Sequence, residues 1–356
     1  MREANEERQQ AGGAERAGKV WGFGLIGTGA IAELHALAIG NLPGGRLLAA
    51  AGRSAEKTRA FAEKAGCEAA DSAEELLARP EIEIVCVATS SGSHAAIGEQ
   101  VLRAGKHLIV EKPMAMTTPE AERLMKLAKD RGLTLSVISQ RRFEAPYQLA
   151  KRIIDEGKLG RLIFIEALTP FYRDQAYYDS AEWRGTIAED GGALMNQAIH
   201  QIDLMLWFGG EAASATGMMA TQTHRMEAED LAVGAVKFKN GALASIVAST
   251  SLQPAQPPAV KLYGELGAIW IEGNAVTLWS VPGEEKPQAP SRPSADGAGD
   301  PRVVKDENHR KQFADVIEAI EQGREPLIGG RDGYRAVQLV NAVYEASRSG
   351  REIALS

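Results

Sequence analysis

Two cysteines, Cys67 and Cys86, are all that 356 residues contain. That number excludes a disulfide framework and a thiolate metal cluster, and both read as small core residues. Long apolar runs are missing too: stretches such as residues 82–89 are too short to span a bilayer. Nor is there a basic excess. The net charge is −7, from 40 Lys and Arg against 47 Asp and Glu, with no basic stripe, which argues against a nucleic-acid partner. Residues 1–19 are polar and charged, lack the apolar centre of a secretory signal, and read as a disordered tail. No internal repeat is found. A soluble cytoplasmic protein is expected, with no membrane or nucleic-acid partner. Its length suits two domains and a large core.

What is present starts with glycine. Residues 20–32, VWGFGLIGTGAIA, read as an apolar strand, a turn and the start of a helix. Gly27 permits the tight turn, and Gly29 lets the backbone approach a pyrophosphate. Ala32 lets the helix pack closely on the strand. Thr28, Ala30 and Ile31 complete the turn and first helical residues, whose free N–H groups and dipole favour a phosphate.

From residue 20 to 141 short apolar strands alternate with helices. Strands are expected at 20–26, 47–51, 84–88, 107–110 and 134–138, with helices at 31–39, 54–64, 72–78, 93–104 and 119–131. Continuous apolar strands imply a sheet covered on both faces, hence a Rossmann-type doubly wound parallel sheet. Residues 142–356 differ. A helix at 147–156, a strand at 161–167 and a helix at 191–208 precede strands at 212–222, 231–238, 242–251, 260–263, 268–272 and 275–280. Asn240-Gly241 suits a hairpin turn. Residues 282–302 read as a long flexible loop, and helices at 309–322 and 332–349 close the chain. This predicts an α+β domain with a largely antiparallel open sheet. Helices cover one face, and the other serves a homodimer or homotetramer.

Four places carry candidate chemistry. The second strand ends Ala51-Gly52-Arg53-Ser54, without the acid that usually holds the ribose of NAD. Arg53 and Ser54 suit a 2′-phosphate, which favours NADP over NAD; the plainer reading is a surface arginine and a helix cap. The second place runs through Thr89 to His94 at the sheet's carboxyl edge, where such folds bind ligands; the plainer reading of His94 is a solvated residue in a helix's first turn. Next, His107–Val110 leads into Glu111-Lys112-Pro113, where a lysine can reach a substrate hydroxyl or simply pair with Glu111. Last, Met195, Ile199, Ile202 and Leu206 form a core stripe on the 191–208 helix, beside a polar stripe of Asn196, His200, Asp203 and Trp207. His200 titrates near neutrality and is the best general base, against a structural reading in which Asp203 holds it.

These segments, in this order, resemble the glucose–fructose oxidoreductase / inositol dehydrogenase / rhizopine catabolism (Gfo/Idh/MocA) family, from residue 20 to the end. The most specific marks are Glu111-Lys112-Pro113 after Ala104-Gly105-Lys106-His107, and the glycine-led helix with His200. The resemblance implies that Lys112 and His200 are catalytic. Asn196 stands where many members carry an aspartate. Trp183-Arg184-Gly185-Thr186 with Asp190–Gln197 looks like the branch of sugar-nucleotide 3-dehydrogenases and glycoside oxidoreductases, in which that asparagine is usual. The same likeness puts Trp183 and Arg184 near the cofactor, and Thr89, His94, Glu111 and Gln140 along its nicotinamide half. It puts Arg142, Tyr172 and Gln197 in the sugar site with Asn196 and His200.

The function implied is hydride transfer between NAD(P) and a secondary hydroxyl of a sugar, sugar derivative or nucleotide sugar, with no metal required. Two alternatives stay open. One is a redox-neutral enzyme that processes glycosides through a 3-keto intermediate with a resident cofactor. The other is a non-catalytic nucleotide-dependent sensor.

Overall fold

A computed structural model describes residues 19–287 and 305–355. The expected tail, apart from residue 19, and residues 288–302 of the expected loop lie outside the described residues. The first half is built from β1 (Trp21–Ile26), α1 (Ala30–Gly40), β2 (Gly45–Ala51), α2 (Ala55–Ala65), β3 (Glu68–Ala69), α3 (Ala73–Ala78), β4 (Ile84–Val87), α4 (His94–Arg103), β5 (His107–Val110), α5 (Thr118–Arg131) and β6 (Leu135–Val137). The six strands are parallel, in the order β3-β2-β1-β4-β5-β6. The order reverses between β1 and β4, so the crevice between their carboxyl ends is where such a sheet takes a ligand. Strands β1, β4 and β5 are almost wholly buried because helices cover both faces. Side-chain caps at Ser54 and Ser72, and a capping box at Thr117 and Glu120, set helix starts within one or two residues of those expected.

The second half contains α6 (Ala145–Asp155), β7 (Leu162–Pro170), α7 (Gln175–Asp179), a π-helix (Ala193–Ala198) running into α8 (Ile199–Gly209), β8 (Ala212–Ala220), β9 (Leu231–Phe238), β10 (Leu243–Ser249), β11 (Ala259–Gly264), β12 (Ala268–Glu272) and β13 (Ala275–Ser280). Then follow α9 (Glu307–Gln322), α10 (Gly330–Ser349) and β14 (Ile353–Ala354). The sheet order is β13-β12-β11-β7-β10-β9-β8-β14, antiparallel except where β10 runs parallel to β7. One face is buried: Ile165, Ala232, Val236, Ile246, Val260 and Ile269 pack in one core with α8 and α10. The other carries exposed Met218 and Leu243, and half-buried Phe164, Tyr263 and Trp270.

Two helices from beyond residue 142 pack on the first half: α10 lies against α5 and β6, with Gly330 and Gly333 against Leu135 and Val137. Helix α9 returns to the first half, where Phe313 and Val316 are buried in one cluster with Phe23, Leu25 and Ile39. Phe313 is fully buried, so truncating it to alanine removes about 3–5 kcal/mol from that half. No described helix is long and apolar enough to cross a membrane.

Candidate active site

At the amino end of α1 the chain turns on Gly27, whose φ of 127° is left-handed; a Cβ there would lie 2.2 Å from the Ala88 carbonyl oxygen. Only glycine lets β1 and the end of β4 come so close. Gly29 is the N-cap of α1, and no side chain caps the helix. A Cβ on Gly29 would meet nothing within 4 Å. Open space thus faces uncapped helix amides, next to exposed Ala30 and half-buried Thr28 and Ile31. That cradle fits a dinucleotide pyrophosphate.

Gly52 explains the missing acid. A Cβ there would lie 2.9 Å from both Thr28 Cγ2 and Thr58 Oγ1. Ser54 caps α2, its hydroxyl oxygen accepting from the Lys57 N–H at 3.4 Å, which leaves its O–H to donate elsewhere. Arg53 is exposed. With Ser90, Glu182, Trp183, Thr186 and Glu189 it lines a cleft of about 420 Å³. Arg184 lies 4.2 Å from the Tyr177 ring centroid and 4.6 Å from that of Trp183.

The loop after β4 and the turn after β5 are tied together from behind. Thr89 is half-buried, its hydroxyl 2.7 Å from Ser93 Oγ. His94 is buried, with Nδ1 2.7 Å from the Pro113 oxygen and Nε2 3.2 Å from the Thr89 oxygen. The ring clamps this loop to the cis Lys112–Pro113 peptide. Glu111 is likewise held by the protein. It is buried, and its Oε1 lies 2.8 Å from His35 Nε2 on α1. Burial opposes its charge, but the His35 contact outweighs it, and the carboxyl is held down at about 2. His309 of α9 completes a buried trio whose ligand-type atoms lie within 4.8 Å of one another. Burial brings the His309 imidazole down to about 4, so it is neutral at pH 7.

In front of this support stands Lys112. Its Nζ donates to the Asn196 carbonyl oxygen at 2.9 Å and to Asn196 Oδ1 at 3.1 Å. Burial lowers its pKa against the opposing charges of Glu111 and Asp190. His200 lies about one turn beyond Asn196, and its ring makes no hydrogen bond to any described residue. Its pKa is well below the ordinary value, first from burial, then from the charges of Lys112 and Arg141. A neutral imidazole can accept a proton, and an ammonium can stabilise a developing alkoxide.

The polar stripe is not what helical spacing predicts. Residues 193–198 are π-helical, a rare wide turn frequent at functional sites. Asp203 does not hold His200. It takes the Arg142 guanidinium in a two-point pair, Nε to Oδ2 at 2.8 Å and Nη2 to Oδ1 at 2.6 Å, while Arg142 Nη1 lies 3.0 Å from Asp332. Arg142, expected in the sugar site, is 2% exposed and fully engaged, so it joins α8 to α10 instead. Tyr172 is half-buried and bridges Ser251. Gln197 and Gln140 each keep a buried Oε1 without a hydrogen bond.

Three groups escaped the sequence reading. Asp190 is buried and accepts from the Gly185 N–H at 2.8 Å and from Asn196 Nδ2. Glu229 accepts the Leu194 N–H at 2.8 Å at the start of the π-helix, and Tyr344 donates to it. An acid just before paired glycines at a helix start was the available signal for Asp190.

Residues 21–139 match an oxidoreductase family with an NAD-binding Rossmann fold, and residues 147–270 match the GFO/IDH/MocA C-terminal domain. The WlbA dehydrogenase of Bordetella pertussis, solved with NADH and UDP-GlcNAcA, is 30% identical. That match covers 95% of this chain and 99% of WlbA, with a TM-score of 0.83. The chain belongs to the Gfo/Idh/MocA oxidoreductase family. A second family member, the WlbA dehydrogenase of Chromobacterium violaceum, also solved with NADH and UDP-GlcNAcA, is 30% identical over 95% of this chain and 97% of its own, with a TM-score of 0.84. Inositol 2-dehydrogenase of Rhizobium meliloti is 26% identical over 340 residues, 94% of this chain and 99% of the relative.

Proposed function

We infer that the protein moves a hydride between a nicotinamide dinucleotide and a secondary hydroxyl of a sugar, sugar derivative or nucleotide sugar. One observation carries this reading. Lys112 and the neutral, unpartnered His200 are brought to one place at the carboxyl edge of the parallel sheet. An ammonium has three donors, and two of Lys112's go to Asn196, which leaves one for a substrate oxygen. His200 takes the hydroxyl proton while that donor steadies the negative charge left on oxygen. Asn196 orients Lys112. Gln197, with an unused buried acceptor, and Tyr172 line the sugar side, and Gln140, with another, borders the nicotinamide half. The bound nicotinamide supplies the hydride acceptor. Gly27–Ile31 hold the pyrophosphate, and Thr89, Trp183 and Arg184 border the nicotinamide half.

The NADP preference rests on exposed Arg53 and on the Ser54 O–H, whose oxygen accepts at the cap while its proton stays free to donate. Arg53→Ala should lower kcat/KM with NADP and leave NAD nearly unchanged. The outer sheet face, with Met218, Val233, Leu243 and Ile163 exposed, suits a second copy of the chain, and we place the enzyme in the cytoplasm as a homodimer or homotetramer. Initial rates with NAD and NADP across polyols, free sugars, glycosides and nucleotide sugars test the reading. Reduction of nicotinamide by one of these classes supports it. Bound cofactor with no reduction by any of them overturns it.

A further inference from the structure

Lys112 Nζ meets an amide, Asn196, and an amide supplies no negative charge. We propose that Asp190 supplies that charge, as a positioning residue that acts on Lys112 through the side chain of Asn196. The inference rests on the proposed role of Lys112.

Hydrogen-bond directions around Asn196 leave one solution. Lys112 Nζ only donates, and it meets Asn196 Oδ1 at 3.1 Å and the Asn196 carbonyl oxygen at 2.9 Å. A carboxylate only accepts, and Asp190 Oδ1 meets Asn196 Nδ2. The amide must therefore turn its oxygen to the lysine and its nitrogen to the aspartate. Asp190's other oxygen holds the Gly185 N–H at 2.8 Å, so the same acid also fixes the Trp183-Arg184-Gly185 turn. Gly191 and Gly192 follow, both left-handed at φ 82° and 75°. They fold the chain so that an acid outside the π-helix lies against a residue inside it.

The arrangement is buried, with Asp190 at 1% exposure. Its charge is felt at Lys112, alongside that of Glu111; His94 and His200 are the other titratable groups facing the lysine. Arg184 and Glu229 are the further charged groups around Asp190. A lysine stripped of one of two buried counter-charges holds its proton less tightly. An aspartate at 196 facing the native Asp190 sets two carboxylates together, which is unfavourable for both.

The test is a charge-swap cycle: Asp190→Asn, Asn196→Asp and the double variant, compared with the parent. Amine labelling of Lys112, followed by mass spectrometry over a pH series, is read on protein without cofactor or sugar. Asp190→Asn should raise labelling at a fixed pH below the Lys112 midpoint by on the order of tenfold, one unit of titration. Asn196→Asp alone should lower the melting temperature. The double variant returns a carboxylate beside the lysine and should restore both the labelling curve and the melting temperature. With an oxidisable sugar, Asp190→Asn should lower kcat and shift its pH profile, with little change in KM. Labelling in Asp190→Asn that matches the parent, or melting-temperature losses of the two singles that simply add in the double, overturns the proposal. Should no sugar prove to be a substrate, the labelling cycle still decides it, so the two failures are distinct.

Discussion

Lys112 Nζ donates to both the backbone oxygen and the side-chain oxygen of Asn196, at 2.9 and 3.1 Å, across 84 residues of chain. The contact joins the carboxyl edge of the parallel sheet to the π-helix of the second half. Any change to the lysine should therefore be felt in turnover before it is felt in cofactor binding. Lys112→Met keeps the stem and removes the charge. It should cut kcat by about 10²–10⁴-fold, the range for a general acid–base or charge-stabilising group, with the dinucleotide Kd unchanged. Stopped-flow turnover and cofactor titration on one preparation check both halves.

Gly29 offers a test of the cradle that spares the fold. Its φ of −86° and ψ of −176° are open to any residue, and a Cβ there meets nothing within 4 Å. Gly29→Val should lower the melting temperature only slightly, because valine is a poorer N-cap than glycine. It should weaken NAD or NADP binding by on the order of tenfold, about 1.4 kcal/mol, because the new side chain occupies pyrophosphate space. Binding at the parent affinity would move the cofactor elsewhere.

Arg142 should behave as structure rather than as substrate contact. Its guanidinium is buried between Asp203 and Asp332, so Arg142→Ala leaves two acids without their partner. The expected loss is about 3–5 kcal/mol of stability in denaturant unfolding. Parent-like stability combined with a raised KM would return Arg142 to the sugar site.

Glu229 links stability to pH. Burial raises its carboxyl from an ordinary 4.5 to about 7. The folded state therefore binds this proton more tightly than the unfolded state. Stability falls as pH rises from about 4.5, and the loss is complete above about 7, where it reaches about 3 kcal/mol. Glu229→Gln has no proton to lose, so its advantage over the parent should grow across that window. Unfolding midpoints at pH 5 and pH 8 measure it. An identical pH slope in both proteins contradicts the assignment.

Much of the fold is readable because period and punctuation agree. The strands at 231–238, 268–272 and 275–280 end where the sequence pattern places them. What escaped has physical reasons. Strands β3 and β14 are two residues long and carry no period. A π-turn and an α-turn share the same apolar spacing over six residues, so 193–198 reads as ordinary helix. The docking of α9 on α1 depends on His309 and Phe313 meeting residues nearly 300 positions earlier. The motifs at 111–113 and 196–200 stood out because each combines rare residue types at an element end. Arg142 was misread because its partners at 203 and 332 are remote, and a cation in a loop looks free until they arrive.

In the proposed reaction His200 takes the hydroxyl proton and Lys112 steadies the oxygen while the carbinol hydrogen goes to nicotinamide. The most direct measurement uses a sugar substrate deuterated at the reacting carbon and follows the label by mass spectrometry. Label should pass to the nicotinamide ring in the parent protein, and transfer should be lost in both Lys112→Met and His200→Ala with cofactor still bound. Transfer at the parent rate in either variant, or reduced nicotinamide without label, contradicts the account.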